Sequence, residues 1–377
     1  MRLGVYADLV YRRDGQQLSA DRAFVNFVAA LSSRVDELVL FGRLDPIPGT
    51  YPYTLPAGVR FVALPHYPNV RALPAVARAA RASVATFARE AAELDGVWLF
   101  GPHPLALAFA RAARRRGIPV ALGVRQDFPA YIASRARWAV PGAHVLERAW
   151  VRLAQRAPAV VVGDALAERY GHGAPVLSTG FSLIRDDEIA PLDAALARSW
   201  DGELRLLSVG RLSPEKNPLL LPEVLALLDD RWRLEVVGEG PLRDAVAQRA
   251  AELGVAERFE LAGYVPNGAA LWERYRTAHA FLHVSFTEGI PQVLFEAQAA
   301  GLPTIATDVG GVRAAVGESA DLVPPDDARA AAAAVERLRT DVEHREQLVR
   351  VGRANARRET LDAQLDRVAS FLAQQLG

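Results

Sequence analysis

A chain of 377 residues, half of them hydrophobic and 23% charged, suits about two domains and is too apolar for extended disorder. Its formal net charge of zero argues against a general nucleic-acid binder, and the lack of cysteine removes disulfide scaffolds, thiolate metal sites and cysteine nucleophiles together. The zero hides an asymmetry: residues 1–190 carry +7, residues 191–377 carry −7, and the window 71–156 holds 14 Arg against 5 acids.

The opening stretch MRLGVYADLVYRRDG has no apolar run of signal-peptide length. No later segment reaches the ~18 apolar residues of a membrane span, so a cytoplasmic protein is expected. In chain order, short apolar runs predict strands at Leu3–Tyr6, Leu38–Phe41, Val97–Phe100, Pro119–Val124 and Val160–Val162. Helical periodicity marks Pro74–Leu94, Pro104–Arg116 and Ala143–Arg156 between them. Asp8 to Gly15 reads as a polar, basic loop. Ser178–Gly202 is acidic, lacks a clear strand and is assigned as the link between domains.

A second series follows, with strands at Arg205–Val209, Leu234–Val237, Phe259–Leu261, Phe281–Val284, Pro303–Ala306 and Asp321–Val323. Helices are expected over Pro218–Leu228, Leu242–Leu253, Ala269–Ala278 and Gln292–Ala300, then two or three more from Asp326 to Leu376. Such alternation predicts parallel α/β architecture with both sheet faces covered, in two Rossmann-like halves whose ligands bind beyond the carboxyl ends of the strands.

Four strand-to-helix loops of the second half carry chemistry. Ser285–Pro303 places Glu288 in a glycine turn and opens a helix at Pro291, so free amides and the helix dipole create an anion site. An acid there needs another partner, such as sugar hydroxyls; the plain alternative is a capping Glu288 and a solvated Glu296. Val209–Asn217 puts Arg211 and Lys216 in one loop, where a fork and a point charge could hold phosphates or merely decorate an exposed turn. Of the 44 basic residues, Lys216 is the only lysine, which tilts that choice towards function. Gly238 and Gly240 form a GxG without the third glycine of a dinucleotide fingerprint, since Arg243 stands in its place. Gly263-Tyr264-Val265-Pro266 could line a nucleobase pocket or simply turn the chain.

Taken together, GRLSPEKN, VGEGP, GYVP and the Glu288-x7-Glu296 element occur in the order and at the spacing of the retaining GT-B glycosyltransferases of family 4, which the stretch Arg205–Val323 resembles. The resemblance implies two Rossmann-like domains facing each other across a cleft. Residues 1–190 would form an acceptor domain, completed by a C-terminal helix over 360–377, and residues 200–358 a donor domain. It implies a nucleotide-diphosphate sugar as donor substrate and no separate cofactor. Arg211 and Lys216 would hold the diphosphate with the amides of Gly289 and Ile290, beside the glycine turns at Gly210 and Gly238. Glu288 would touch the donor sugar, Glu296 the ribose, and Tyr264 and Val265 the base.

The first half fits in outline. Leu99–Pro104 resembles the family segment that carries a His, here His103, although a capping role is an equal reading. Where the family commonly has a further His, this chain has Arg125-Gln126-Asp127. Arg125 is expected in catalysis or acceptor binding with Asp127 orienting it, against a plain Arg125–Asp127 salt bridge. His279 and His283 match no zinc spacing and read as structural. No DxD occurs, so no metal is expected on the diphosphate.

The acceptor would be a carbohydrate, a lipid-linked or a small molecule. An anionic membrane surface at the inner face is a further candidate partner, from the basic window and a stripe of Arg148, Arg152 and Arg156 beside Trp150 and Val151. The rival readings are a sugar-nucleotide epimerase or hydrolase and a non-catalytic sugar-nucleotide-binding partner.

Overall fold

A computed structural model of the chain describes residues 1–67, 73–133 and 136–377; the remaining positions of the basic window, Arg71 and Arg135 among them, lie outside the described residues. The chain divides into two units: residues 1–183 with 364–377, and residues 184–363. The boundary follows a short strand, Val176–Thr179, that enters the segment read from sequence as lacking one.

Unit 1 is built on β1 (Arg2–Asp14), β2 (Gln17–Ala20), β3 (Glu37–Leu44), β4 (Tyr53–Thr54), β5 (Arg60–Pro65), β6 (Gly96–Gly101), β7 (Val120–Val124), β8 (Ala159–Val162) and β9 (Val176–Thr179). The order β5-β3-β1-β6-β7-β8-β9 is parallel throughout, with β2 and β4 added antiparallel on the far half of β1. Asp8–Asp14 is therefore strand and not loop: β1 runs through it and turns at Gly15, whose φ of 58° suits glycine. The register between β1 and β3 shifts between Tyr6 and Val10, a bulge that contains Asp8. Phe87 and Phe109, from helices Leu73–Glu90 and Pro104–Arg115, stack at 4.2 Å in the core with Tyr6, Phe41 and Trp150. The last helix, Leu361–Leu376, joins this unit from Gln364 onward. There the Gln364 side-chain oxygen accepts from the Ser182 N–H at 2.9 Å and from the Thr179 hydroxyl at 3.2 Å.

The basic stripe needs correction. Arg148 and Arg152 are exposed on helix Val140–Ala154 and Arg156 lies past its end, but Trp150 is wholly buried. Residues two apart point to opposite sides of a helix, so Trp150 turns inward as its arginine neighbours turn out. Its indole lies against the backbone of Gly101, where a Cβ would come within 2.6 Å of the ring. The stripe thus carries no aromatic side chain to insert into a membrane. No described helix is long and apolar enough to cross one.

Unit 2 holds β10 (Leu204–Val209), β11 (Trp232–Val237), β12 (Phe259–Gly263), β13 (Ala280–His283), β14 (Thr304–Thr307) and β15 (Asp321–Val323). Their parallel order, β12-β11-β10-β13-β14-β15, reverses direction between β10 and β13. That is the doubly wound order of a Rossmann sheet, and it marks where a ligand crevice opens. One face of the sheet is packed by Leu220, Val224, Val335 and Leu338, the other by Tyr275, Leu294 and Phe295.

Candidate functional site

The two loops that leave β10 and β13 stand at the switch point of unit 2, and they are the two loops that carry Lys216 and Glu288. They are tied together twice. The Phe286 N–H donates to the Glu215 carbonyl at 2.9 Å, and the Lys216 ammonium pairs with the Glu288 carboxylate. Neither side chain is freely solvated, with 21% of Lys216 and 7% of Glu288 exposed.

The same Glu288 oxygen accepts from the Ser285 hydroxyl at 2.7 Å and meets His283 Nε2 at 2.9 Å. Burial pushes the Glu288 carboxyl up. The His283 hydrogen bond and the charges of His283 and Lys216 outweigh it and hold the group at about 2. His283, read from sequence as structural, belongs to this cluster, whereas His279 accepts from the Arg205 N–H at 3.0 Å, away from it. Sequence spacing hid His283, because five residues of turn bring Glu288 back over the strand end that carries it.

Glycines allow the loops to close on one another. Gly238, at φ 150°, lies so near the Gly210 carbonyl that any Cβ would overlap it, and Gly240 stands likewise against Leu212. Hydrogen bonds run alongside: Gly210 N–H to Val237 carbonyl at 2.9 Å, Leu212 N–H to Glu239 carbonyl at 3.0 Å, Gly238 N–H to Gly263 carbonyl at 2.8 Å. Gly310 and Gly311 press in the same way on the backbone of Glu288 and Gly289. Space remains on the open side, since a Cβ at Gly210 or Gly289 would meet nothing within 4 Å.

Helix Gln292–Ala299 starts after Pro291. Among the described residues, the Gly289 and Ile290 N–H groups have no hydrogen-bond partner. Unpaired amides before a helix N-terminus, with an ammonium nearby, suit an anion. Arg211 is 69% exposed and pairs with Glu215 at 2.8 Å, a surface contact it can exchange for a ligand. Glu296, half-buried, accepts from the Tyr275 hydroxyl at 2.8 Å, and burial with the nearby Glu188 charge keeps its carboxyl above the ordinary range. Tyr264 is 66% exposed and Val265 half-buried. Glu288 and Glu296 thus have separate partner sets.

Unit 1 has its own cleft at the corresponding switch point, between β1 and β6. It encloses about 180 Å³ and is lined by Asp8, Arg22, His103, Arg125 and Tyr131, among others. His103 caps helix Pro104–Arg115, its Nδ1 accepting from the Leu105 N–H at 3.3 Å, so its other nitrogen turns to Asp8 at 3.5 Å. Tyr6 reaches Asp8 and His103 at 3.2 Å each, and Arg43 donates to Asp8 at 2.9 Å. Burial lowers the His103 pKa despite Asp8, with Arg43 adding to the effect, which favours the neutral imidazole. Capping and cleft-lining are therefore roles of one residue.

Arg125 also lines this cleft, but Asp127 does not orient it. The Asp127 carboxylate pairs with Arg169 at 2.7 Å and caps a short helix through the Ala130 N–H. Arg125 instead lies over the Phe24 ring at 4.0 Å. Burial and the neighbouring Arg22 charge lower its pKa to about 10, and it has no carboxylate partner among the described residues.

Residues 197–355 match the family described as Glycosyl transferases group 1. Over 247 residues the chain is 34% identical to the GDP-mannose-dependent alpha-mannosyltransferase of Mycolicibacterium smegmatis, covering 61% of this chain and 58% of that protein. Over 179 residues it is 37% identical to the D-inositol 3-phosphate glycosyltransferase of Thermomonospora curvata, covering 43% and 41%. The chain thus spans roughly half the length of these relatives. Among solved structures, sucrose-phosphate synthase from Thermosynechococcus elongatus superposes with a TM-score of 0.70 at 18% identity, over 99% of this chain and 98% of that one. Anabaena HepE in complex with UDP gives 0.72 at 16% identity, over 99% and 100%. At these identities the likeness is one of fold, the GT-B fold.

Proposed function

We infer, from a chain whose residues 197–355 match the group 1 glycosyl transferases, that the protein moves a sugar from a nucleotide-diphosphate donor to an acceptor hydroxyl with retention at the anomeric carbon. The observation that carries the reading is the switch-point cluster of unit 2. There the unpaired Gly289 and Ile290 amides stand in one turn with Glu288, whose carboxylate pairs with the chain's lone lysine.

In this reading the donor diphosphate lies against those amides, Lys216 and Arg211. The bond between the anomeric carbon and the diphosphate oxygen breaks while the acceptor oxygen bonds the same face. The acceptor proton passes to the leaving diphosphate oxygen, whose charge Lys216 and Arg211 stabilise without a metal ion. A double displacement needs two carboxyls about 5 Å apart astride the anomeric centre, and the separate surroundings of Glu288 and Glu296 favour the front-face route. Glu288 would take hydroxyls of the sugar, Glu296 those of the ribose, and Tyr264 with Val265 the base. In unit 1, the neutral His103 and the Arg125–Arg22 pair would hold the acceptor, the arginines favouring an anionic one.

GDP-mannose is the first donor to test, from the name of the mannosyltransferase relative. A thermal-shift screen of UDP, GDP, ADP and dTDP sugars reports binding, because a ligand of the native state raises its melting point. Transfer with the stabilising donor, followed by NMR of the product's anomeric proton with and without EDTA, tests retention and metal independence. An inverted product, or free sugar released at the same rate without acceptor, overturns the proposal.

A further inference from the structure

Unit 1 contains a second concavity that the sugar and its nucleotide do not require. A groove of about 770 Å³ is lined by Val76, Ala80 and Val84 from helix Leu73–Glu90, by Ala108 from helix Pro104–Arg115, and by Ile132 and Leu146 on its other side. Its size falls within the roughly 300–1,000 Å³ of small-molecule sites. The cause is local: Val76, Ala80 and Val84 recur every fourth residue and share one helix face. Facing them, Ala139, Gly142 and Ala143 are too small to fill the gap. Val76, Ala80 and Val84 are half-buried, and Trp138, 81% exposed, immediately precedes Ala139. Apolar walls of this extent, left open to water, mark a binding surface.

One end of the groove is not apolar. His103 and Phe128 line both the groove and the adjoining cleft of about 180 Å³, which holds Arg22 and Arg125. Among the described residues, Arg125 has no carboxylate partner, and Arg22 has a long pairing with Asp21, at 3.7 Å. The charge complement of this arrangement is a molecule with an anionic head and a long apolar body.

We propose that unit 1 binds a single-chain lipid phosphate, its apolar chain along the groove between Val84 and Leu146 and its phosphate at Arg125 and Arg22. The inference rests on the reading of unit 1 as the acceptor side and names the acceptor's class: a lipid phosphate, or a sugar already linked to one. The bivalent geometry explains why the groove joins the cleft instead of opening elsewhere on the unit. It also gives a role to Arg125, which has no carboxylate partner among the described residues.

The test is binding, read without transfer. Octyl, decyl and dodecyl phosphate, each below its micelle concentration, are titrated into the full chain by calorimetry, with inorganic phosphate and dodecyl maltoside as controls. Each methylene buried in the groove should tighten binding about fourfold. Ala108→Trp should flatten this chain-length dependence while leaving nucleotide-sugar binding intact; Ala80→Trp fills the groove from the other helix should the first variant misfold. Arg125→Ala should erase the preference for phosphate over maltoside at equal chain length and keep the length dependence. Affinity independent of chain length, or a folded groove-filling variant that keeps the full dependence, overturns the proposal. If the lipid phosphates fail to bind while a soluble acceptor is glycosylated, this inference falls and the transferase reading stands. If they bind in a protein that transfers no sugar, the reverse holds.

Discussion

Removing the Lys216 ammonium should weaken both the fold of unit 2 and its hold on a donor, by amounts the Glu288 environment sets. A carboxyl that titrates at about 2 instead of the ordinary 4.5 is favoured as the anion by about 3 kcal/mol, even after burial has acted against it. His283 contributes the larger share, so Lys216→Ala should cost about 1–1.5 kcal/mol at pH 7. For a unit of this size the melting temperature would fall by about 2–6 °C. The sign with pH follows from a depressed carboxyl: its stabilisation is complete above the ordinary 4.5 and disappears as the pH falls towards about 2. The deficit of the variant should therefore be full at pH 7 and shrink below pH 4.5. Donor affinity should drop by a further charge-assisted contact, about 1.5–3 kcal/mol. Thermal unfolding followed by circular dichroism across pH, beside calorimetric donor titration, measures both. Lys216→Ala with Glu288→Gln should recover most of the stability and none of the donor binding, since the second change removes the uncompensated charge. A single variant with wild-type stability and wild-type donor affinity would refute the argument at both ends.

Glu296→Gln should stabilise the apoprotein at pH 7.5, because burial raises the carboxyl's pKa and charging it costs stability as the pH rises. The gain should fade towards pH 4.5 and come with weaker donor binding, and a lower melting temperature at every pH counts against it. Gly238→Ala should cost about 2–4 kcal/mol in urea unfolding by driving a Cβ into the Gly210 carbonyl. Gly210→Ala, which meets open space, should cost less than about 1 kcal/mol while impairing the nucleotide site, and equal losses would contradict the packing argument. Arg125→Lys keeps a charge and loses the planar stack on Phe24, so its transfer rate should lie between wild type and Arg125→Ala; wild-type rates in both make the residue structural.

Unit 2 was legible because its strands are short and centred on apolar residues, with Ala280–His283 and Thr304–Thr307 buried throughout, and because glycine or proline follows their carboxyl ends. Unit 1 hid more. Asp8–Asp14 carries four charges in seven residues and resembles a loop, yet Leu9 and Tyr11 face the core and Asp14-Gly15 marks the hairpin turn. Arg60–Pro65, at the parallel edge of the sheet, is half-exposed and breaks its alternation. Within the site, residue types in loops could be read, but partners could not. Nothing in the order of residues says that Asp127 turns to Arg169, that Arg125 rests on Phe24, or that His283 and Ser285 converge on one Glu288 oxygen. Those outcomes depend on backbone approach, which glycines such as Gly310 and Gly311 permit without announcing.

The Lys216–Glu288 pair has one further consequence, for chemical labelling. Apart from seven histidines, all other basic side chains of this protein are arginines, and amine-specific reductive methylation leaves both alone, so side-chain labelling converges on a single nitrogen inside the switch-point cluster. An ammonium held by a buried carboxylate is a poor nucleophile until the pair opens, and a diphosphate laid across it would shield it further. The rate of modification at Lys216 then becomes an occupancy gauge built into the chain, able to rank candidate donors by protection before any acceptor is in hand.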